Sequence, residues 1–256
     1  MAEYTGKDGL QYCTECGEPL EMDITLGNEQ KRVRCSCKCK RAEREAQEKR
    51  EHEAEIARRR KICFGNSSYR DARFENSDDC EAMQIAKKYA DNFKEFKAQG
   101  KGLLLYGTVG TGKSRAAACI ANQLLDEGQS VLMTNFSRLC NELQALFEGR
   151  QQYIDSLKRY ALLIIDDLGV ERSSEFMQEQ VFNIIDTRYS SGLPMIITTN
   201  LTAEEIKKPS ELMRYRIYDR IMEKCHPIKI DGQSRRRQNL KNDFWQTEMM
   251  LKGGKK

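Results

Sequence analysis

The stretch from Lys101 to Ser114 restricts what this chain can fold into more than any other. After Lys101 it runs Gly102-Leu103-Leu104-Leu105-Tyr106, then Gly107-Thr108-Val109-Gly110-Thr111-Gly112-Lys113-Ser114, and continues into the alanine-rich segment Arg115 to Leu125. An apolar run, a glycine-rich turn and a helix-forming segment in that order predict a buried strand delivered into a tight turn that faces a helix N-terminus. Such a turn binds phosphate, because glycines let backbone N–H groups approach anionic oxygens and the helix dipole adds positive potential. In the full pattern Gly107, Thr108, Gly110, Thr111 and Gly112 form the cradle, Lys113 reaches the outer phosphates, and the Ser114 hydroxyl is placed to ligand Mg²⁺.

Downstream, Ser130 to Asn135 reads as a second strand, and Ser137 is expected to cap a helix running to about Glu148. The run Ala161-Leu162-Leu163-Ile164-Ile165-Asp166-Asp167 looks like a buried parallel strand that ends at a nucleotide crevice. Asp166 is expected to hold Mg²⁺, directly or through water beside Ser114, and Asp167 to orient and polarise an attacking water. Ser174 to Ser191 reads as a helix with Phe176, Val181, Ile184 and Ile185 as its buried stripe. The strand Leu193 to Asn200 ends in an amide with two compatible readings, a contact to the γ-phosphate or lytic water and a cap for a helix starting near Thr202. A helix from Ser210 to Lys224 carries Arg214, Arg216 and Arg220, and arginine stabilises charge on a transferring phosphoryl group, often from a neighbouring subunit. Pro227 to Asp231 reads as a last strand, Gln233 to Arg237 returns toward the nucleotide side, and Phe244 and Trp245 are expected to pack a terminal helix.

Ten cysteines are odd for a cytosolic disulfide framework, and five of them fall in the first forty residues, which points to metal. Cys13-Thr14-Glu15-Cys16-Gly17 is a knuckle that aims two thiolates at one point, and Cys35-Ser36-Cys37-Lys38-Cys39 follows. Tetrahedral Zn²⁺ takes four soft ligands from these five. Cys13, Cys16, Cys37 and Cys39 are the favoured set, with Cys35 competing for a place. All candidates are thiolates, so the zinc reads as structural, the staple without which so short and apolar-poor a segment hardly folds.

Lys40 to Lys61 is almost entirely Glu, Arg, Lys, Ala and Gln, a solvated helix that acts as a spacer, with Arg58-Arg59-Arg60 either part of that solvated face or a contact for single-stranded DNA or a partner. The turn-rich segment Cys63 to Arg70 and a helix from about Asp79 to Ala98 then lead to the phosphate loop and are well placed to cover the adenine. Domains are therefore expected at 1–40 (zinc-binding), 41–65 (charged helical linker) and 66–256 (nucleotide-binding). The chain carries a formal charge of +4, so nucleic acid is an allowed partner. No apolar run reaches the roughly 20 residues of a membrane span and the start has no signal-peptide core, so the expectation is a cytoplasmic protein with no membrane contact.

In this order of strands, phosphate loop, acidic strand end, polar strand end and arginine-bearing helix, the stretch from Tyr69 to Trp245 resembles the AAA+ ATPases. It is more closely similar to the DnaC/DnaI-type replicative helicase loaders and their phage homologues. The selective matches are Asp166-Asp167-Leu168-Gly169, Ile196-Ile197-Thr198-Thr199-Asn200 and the box Arg216 to Ile221. The resemblance implies an α/β P-loop core with a five-stranded parallel sheet in order 5-1-4-3-2, without a separate helical lid domain, and ATP held between subunits of a homo-oligomer. By position it implies sensor 1 at Asn200, a trans-acting arginine finger at Arg220 with Arg216 as rival, and sensor 2 at Arg235. The N-terminal cysteines look like the zinc-binding, helicase-contacting domain of the DnaI branch. The implied function is an Mg²⁺-dependent ATPase that loads a DnaB-type ring helicase on single-stranded DNA. The alternative is a transposition helper ATPase of the IstB type acting on a transposase and duplex DNA. A zinc-dependent DNA-binding module with an inert ATPase core would need Lys113 or the Asp166-Asp167 pair spoiled, and neither is.

Overall fold

The computed structural model describes residues 3–27, 29–78, 80–169, 175–209, 211–232, 234, 244–245 and 247–252. Two compact units are present, Met1–Ala57 and Arg58–Lys256. In the first, β1 (Glu3–Thr5) pairs antiparallel with β2 (Gln11–Cys13), and β3 (Glu21–Leu26) with β4 (Glu29–Arg34). The knuckle after β2 closes on itself through Gly17 N–H to Cys13 O (2.9 Å) and Cys13 N–H to Glu18 O (2.9 Å). Strand alternation puts the Asp23–Arg32 ion pair (3.0 Å) on one face of the second hairpin and leaves Met22 exposed on the other. Among the described residues, the buried apolar cluster of this unit is Cys13, Leu20 and Cys37, with Cys16 and Cys39 packed against it, far too little to hold two hairpins by burial alone.

The charged segment forms α1 (Lys38–Phe64), longer at both ends than the expected Lys40 to Lys61, with i,i+4 contacts Arg44–Glu48 and Gln47–Glu51. Beyond it, the expected single helix to Ala98 breaks into α2 (Glu81–Asp91) and α3 (Phe93–Ala98). Asn92 causes the break: it leaves the helical region at φ −108°, ψ 20°, and its side-chain amide donates to Lys88 O (2.8 Å), a local bond that competes with the helix ladder.

From there each strand is followed by one or two helices: β5 (Gly102–Tyr106), α4 (Lys113–Asp126), β6 (Val131–Asn135), α5 (Phe136–Ala145), α6 (Arg150–Ser156), β7 (Leu162–Leu168), α7 (Glu175–Ser190), β8 (Met195–Thr199), α8 (Ala203–Lys207), α9 (Leu212–Lys224) and the last strand β9 (Cys225–Lys229). The sheet is parallel throughout, in the order β6-β7-β8-β5-β9, which is the expected 5-1-4-3-2 arrangement viewed from the other edge. Period-two alternation divides the strand side chains between two cores. Leu103, Leu105, Ile164 and Ile196 pack with α2 and α4, whereas Leu104, Leu163, Ile165 and Ile197 pack with α5, α7 and α9. Ala116, Ala117, Ala118 and Ala121 are all essentially inaccessible, which lets α4 lie close on the strands.

Other details depart from expectation. Asn135, not Ser137, caps α5, since its Oδ1 accepts from Arg138 N (2.8 Å). The last strand begins at Cys225, two residues early, and its Pro227 is tolerated because β9 is an edge strand. Arg59 donates to Gly128 O (2.5 Å) and Arg60 pairs with Asp126, so two of the three arginines offered to DNA fasten the end of α1 to the end of α4. Arg188, 1% exposed, donates to the carbonyls of Leu157, Tyr160, Ala161 and Pro194 and ties together the entries to β7 and β8. Phe244 and Trp245 are helical but exposed, touching each other edge to face at 6.3 Å rather than packing a core. Among the described residues, no helix is long and apolar enough to cross a membrane.

Candidate nucleotide site and thiolate cluster

The sheet brings the phosphate loop and the acidic strand end to one edge. At Gly107, φ is +138° and a Cβ would stand 2.4 Å from Ile230 O, so no side chain fits where β5 turns out. At Gly112, φ is +102°, the conformation that lets the chain enter α4 with no side chain capping its first turn. Lys113 is 4% exposed, and its ammonium donates to Gly107 O (2.9 Å) and Thr108 O (2.7 Å), while Thr111 Oγ1 donates to Thr108 O (2.9 Å). The lysine thus sits folded into the loop, with its charge held by weak neutral acceptors that phosphate oxygens outcompete. Arg115, one residue past the motif, donates to Ser77 Oγ (2.9 Å) and Asn76 O (2.7 Å), which fastens the turn before α2 beside the loop.

At the other half of the site, the β7–β8 register shifts between Ile165 and Leu168, a bulge placed at the two aspartates. Asp166 accepts from Thr198 Oγ1 (2.6 Å) and from the Ser114 side chain. Burial raises its pKa, against the pull of those two hydrogen bonds and of Lys113. Ser114 hydroxyl and Asp166 carboxylate in contact are two hard oxygen donors, the set Mg²⁺ takes. Asp167 has φ +58° and, among the described residues, is the non-glycine with positive φ. That strain points to a functional position. Its N–H donates to Thr198 Oγ1 (2.9 Å), and its carboxylate, exposed at the crevice, accepts from Asn200 Nδ2 (3.3 Å). Thr202, not Asn200, caps α8, through a capping box with Glu205, which leaves the Asn200 amide to the site. Asp166→Asn is expected to leave ATP binding within a few-fold and to lower Mg²⁺-dependent hydrolysis by at least about 100-fold, as a turnover assay over a Mg²⁺ series would show.

Thr198 is the residue that reading the sequence missed. It holds both aspartates at once, and its signal was the pair Thr198-Thr199 interrupting an apolar strand, legible only once β8 is known to neighbour β7.

The expected site residues divide into three groups. Lys113, Ser114, Asp166, Asp167 and Asn200 come together. Arg216 and Arg220 lie on α9, against α7: each guanidinium is 4.5 Å from the Phe182 ring centroid, and Arg220 Nε is 2.8 Å from Asp186 Oδ1. Arg235 falls outside the described residues.

In the first unit, the Sγ atoms of Cys13, Cys16, Cys37 and Cys39 lie within 4.8 Å of one another. Cys35 turns away and donates to Pro19 O (3.2 Å). The Glu18 backbone N–H draws the Cys16 thiol down to about 7, and the hydrogen bond with Cys16 pushes Cys39 up to about 12. Four convergent sulfurs, two from a CxxC turn and two from the start of a helix, fit a closed tetrahedral zinc site.

Comparison with known proteins agrees with this architecture. The DnaC replicative helicase loader of Escherichia coli (strain K12) is 31% identical over 160 residues, 61% of this chain and 63% of that protein. The DnaI loader of Bacillus subtilis (strain 168) is 28% identical over 150 residues, 54% of this chain and 48% of its own length. The chain therefore spans about half to just under two thirds of the length of these curated relatives. A crystal structure of DnaI superposes with a TM-score of 0.58 at 26% identity, covering 70% of this chain and 99% of that one. The family model described as "IstB-like ATP binding protein" matches residues 38–243, most of the chain, including every element of the phosphate site. On an AAA+ P-loop fold with this loop and this strand end, the chain belongs to the family of IstB-like ATP-binding proteins.

Proposed function

We propose that this protein is an ATP-dependent helicase loader: it binds and hydrolyses ATP between copies of itself and couples that cycle to placing a DnaB-type ring helicase on single-stranded DNA in the cytoplasm. The observation that carries the catalytic part is the hydrogen-bonded chain Ser114–Asp166–Thr198–Asp167–Asn200, set at one sheet edge with the Lys113 loop. The loop from Gly107 through Thr108, Gly110, Thr111 and Gly112 cradles the phosphates, and Lys113 moves from its carbonyls onto them. Ser114 and Asp166 hold Mg²⁺, which when bound neutralises phosphate charge. Asp167 orients the attacking water, with Asn200 fixing the carboxylate. An arginine of α9, Arg220 with Arg216 one turn away, completes the site of a neighbouring copy, and Arg235, outside the described residues, takes the sensor 2 role by its position in the sequence. Cys13, Cys16, Cys37 and Cys39 would hold a structural Zn²⁺, and the unit they close is the surface that grips the helicase.

The loader reading is supported by the curated relatives, both named replicative helicase loaders, and by the four-thiolate unit, most of which precedes the family match at residue 38. That same family description favours the second reading, a transposition helper acting on a transposase and duplex DNA. Capture of a ring helicase by the full chain, lost when the first sixty residues are removed, supports the loader. Capture of a transposase with tight duplex binding and no helicase supports the helper.

Trans action is separable from binding. In a mixture of Lys113→Ala and Arg220→Ala chains, each hydrolytically dead alone, sites that join an intact loop to an intact arginine should recover a substantial fraction of wild-type turnover. If Arg220→Ala alone turns over like wild type, Arg220 is not the finger.

A further inference from the structure

The arginines of α9 rest on a rack built by α7. Phe182, Asp186 and Tyr189 stand at i, i+4 and i+7 on one face of α7, and Arg216, Arg220 and Glu223 repeat that spacing on α9. Both guanidiniums sit 4.5 Å from the Phe182 ring, that of Arg220 also 5.7 Å from Tyr189, whose hydroxyl donates to Glu223 Oε2 (2.8 Å). Two cations thus share one aromatic ring, and Asp186 pairs with one of them, Arg220. Its contact with Arg220 Nε is short, 2.8 Å, yet that buried nitrogen makes no hydrogen bond, so the pair is held by charge and not by aligned N–H···O geometry. Arg216 is exposed, whereas the Arg220 side chain is 24% exposed.

We propose that Asp186 is a positioning residue for Arg220: it parks the guanidinium within the free subunit and yields it to the triphosphate held by a second copy, so that it sets how much association is needed before hydrolysis begins. This rests on the trans-arginine reading above. The physical ground is a competition between acceptors. A single, half-exposed, off-axis carboxylate gains little from the pair, whereas a triphosphate offers more charge and several oxygens in a geometry a guanidinium can bridge. The Phe182 and Tyr189 rings are indifferent to which acceptor wins, so they keep the arginine aimed while it changes partner.

The test is Mg-ATP hydrolysis by full-length Asp186→Asn, measured against protein concentration. The half-activating concentration is expected to fall about three- to fivefold, the range of a half-exposed ion pair, with the plateau rate unchanged. Asp186→Glu, which keeps the charge, should show the wild-type threshold, and Asp186→Asn combined with Arg220→Ala should lose the gain. An unchanged or higher threshold in Asp186→Asn, a lower plateau, equal shifts in Asn and Glu variants, or a gain that survives loss of Arg220 would each overturn the proposal. A purely structural role would lower the melting temperature without moving the threshold downward. If Arg220→Ala alone leaves hydrolysis intact, the trans-arginine reading fails first; if it abolishes hydrolysis and Asp186→Asn shifts nothing, only the parking role falls.

Discussion

Lys113→Ala lowers ATP affinity by about two to three orders of magnitude. The size follows from what the lysine does in each state. Without nucleotide its ammonium is satisfied by two carbonyls of its own loop, Gly107 and Thr108, and it is nearly inaccessible, so it is already inside the cradle when phosphate arrives. The exchange turns two bonds to neutral carbonyls into contacts between full charges inside a buried loop, and removing one partner of a buried charge pair costs about 3–5 kcal/mol. At about 1.4 kcal/mol per tenfold, that is the stated loss. A nucleotide titration by calorimetry or fluorescence reads it directly. Because α4 begins at Lys113 and its buried alanines hold it to the sheet, the variant should keep its far-ultraviolet circular dichroism. Unchanged affinity in a folded variant would remove the cradle from the account.

With zinc held by the four thiolates as proposed, a chelator is expected to unfold the first unit and leave the nucleotide site intact. The cluster of Cys13, Leu20 and Cys37 is too small to order two hairpins, while apparent binding energies of structural zinc are about 10–16 kcal/mol, more than the stability of most small domains. Amide signals of residues 3–37 should collapse to random-coil positions on chelation and return with zinc, while ATP affinity stays within a few-fold. Cys13→Ser or Cys37→Ser should mimic the chelator, and Cys35→Ser, whose thiol bonds Pro19 O outside the cluster, should not. The pH sign is set by the ligands: the thiols must lose their protons to bind, so zinc is expected to be held at neutral and alkaline pH and released on acidification. Hairpins that persist unchanged in metal-free protein would overturn the zinc assignment.

What was legible in the sequence was whatever local pattern decides. The strand–loop–helix around Lys113 and the apolar run into Asp166 and Asp167 are fixed by contiguous residues, and the strand order followed from resemblance. The break at Asn92 and the cap at Asn135 were missed because a side chain bonding two to four residues away competes with helix continuity more subtly than periodicity reveals. Thr198 was missed for a different reason. Its role exists only across the β7–β8 pairing, and the bulge that turns Asp167 into the left-handed region leaves no mark in the linear chain. The α7 rack was hidden likewise: Phe182 reads as another apolar helix residue until the α9 arginines are laid on it. Arg58 to Arg60 reads from sequence as a solvated face or a contact for DNA or a partner, and its packing role was hidden because Gly128 and Asp126, which two of its members meet, lie 69 and 66 residues away along the chain.

Sedimentation of the full-length chain across a nucleotide series bears on the central claim most directly. With Mg²⁺ and a non-hydrolysable ATP analogue the account predicts a larger assembly, absent for Lys113→Ala, and with ATP itself an assembly that dissolves as the nucleotide is consumed. A particle whose mass is the same without nucleotide, with the analogue and with ADP would contradict it.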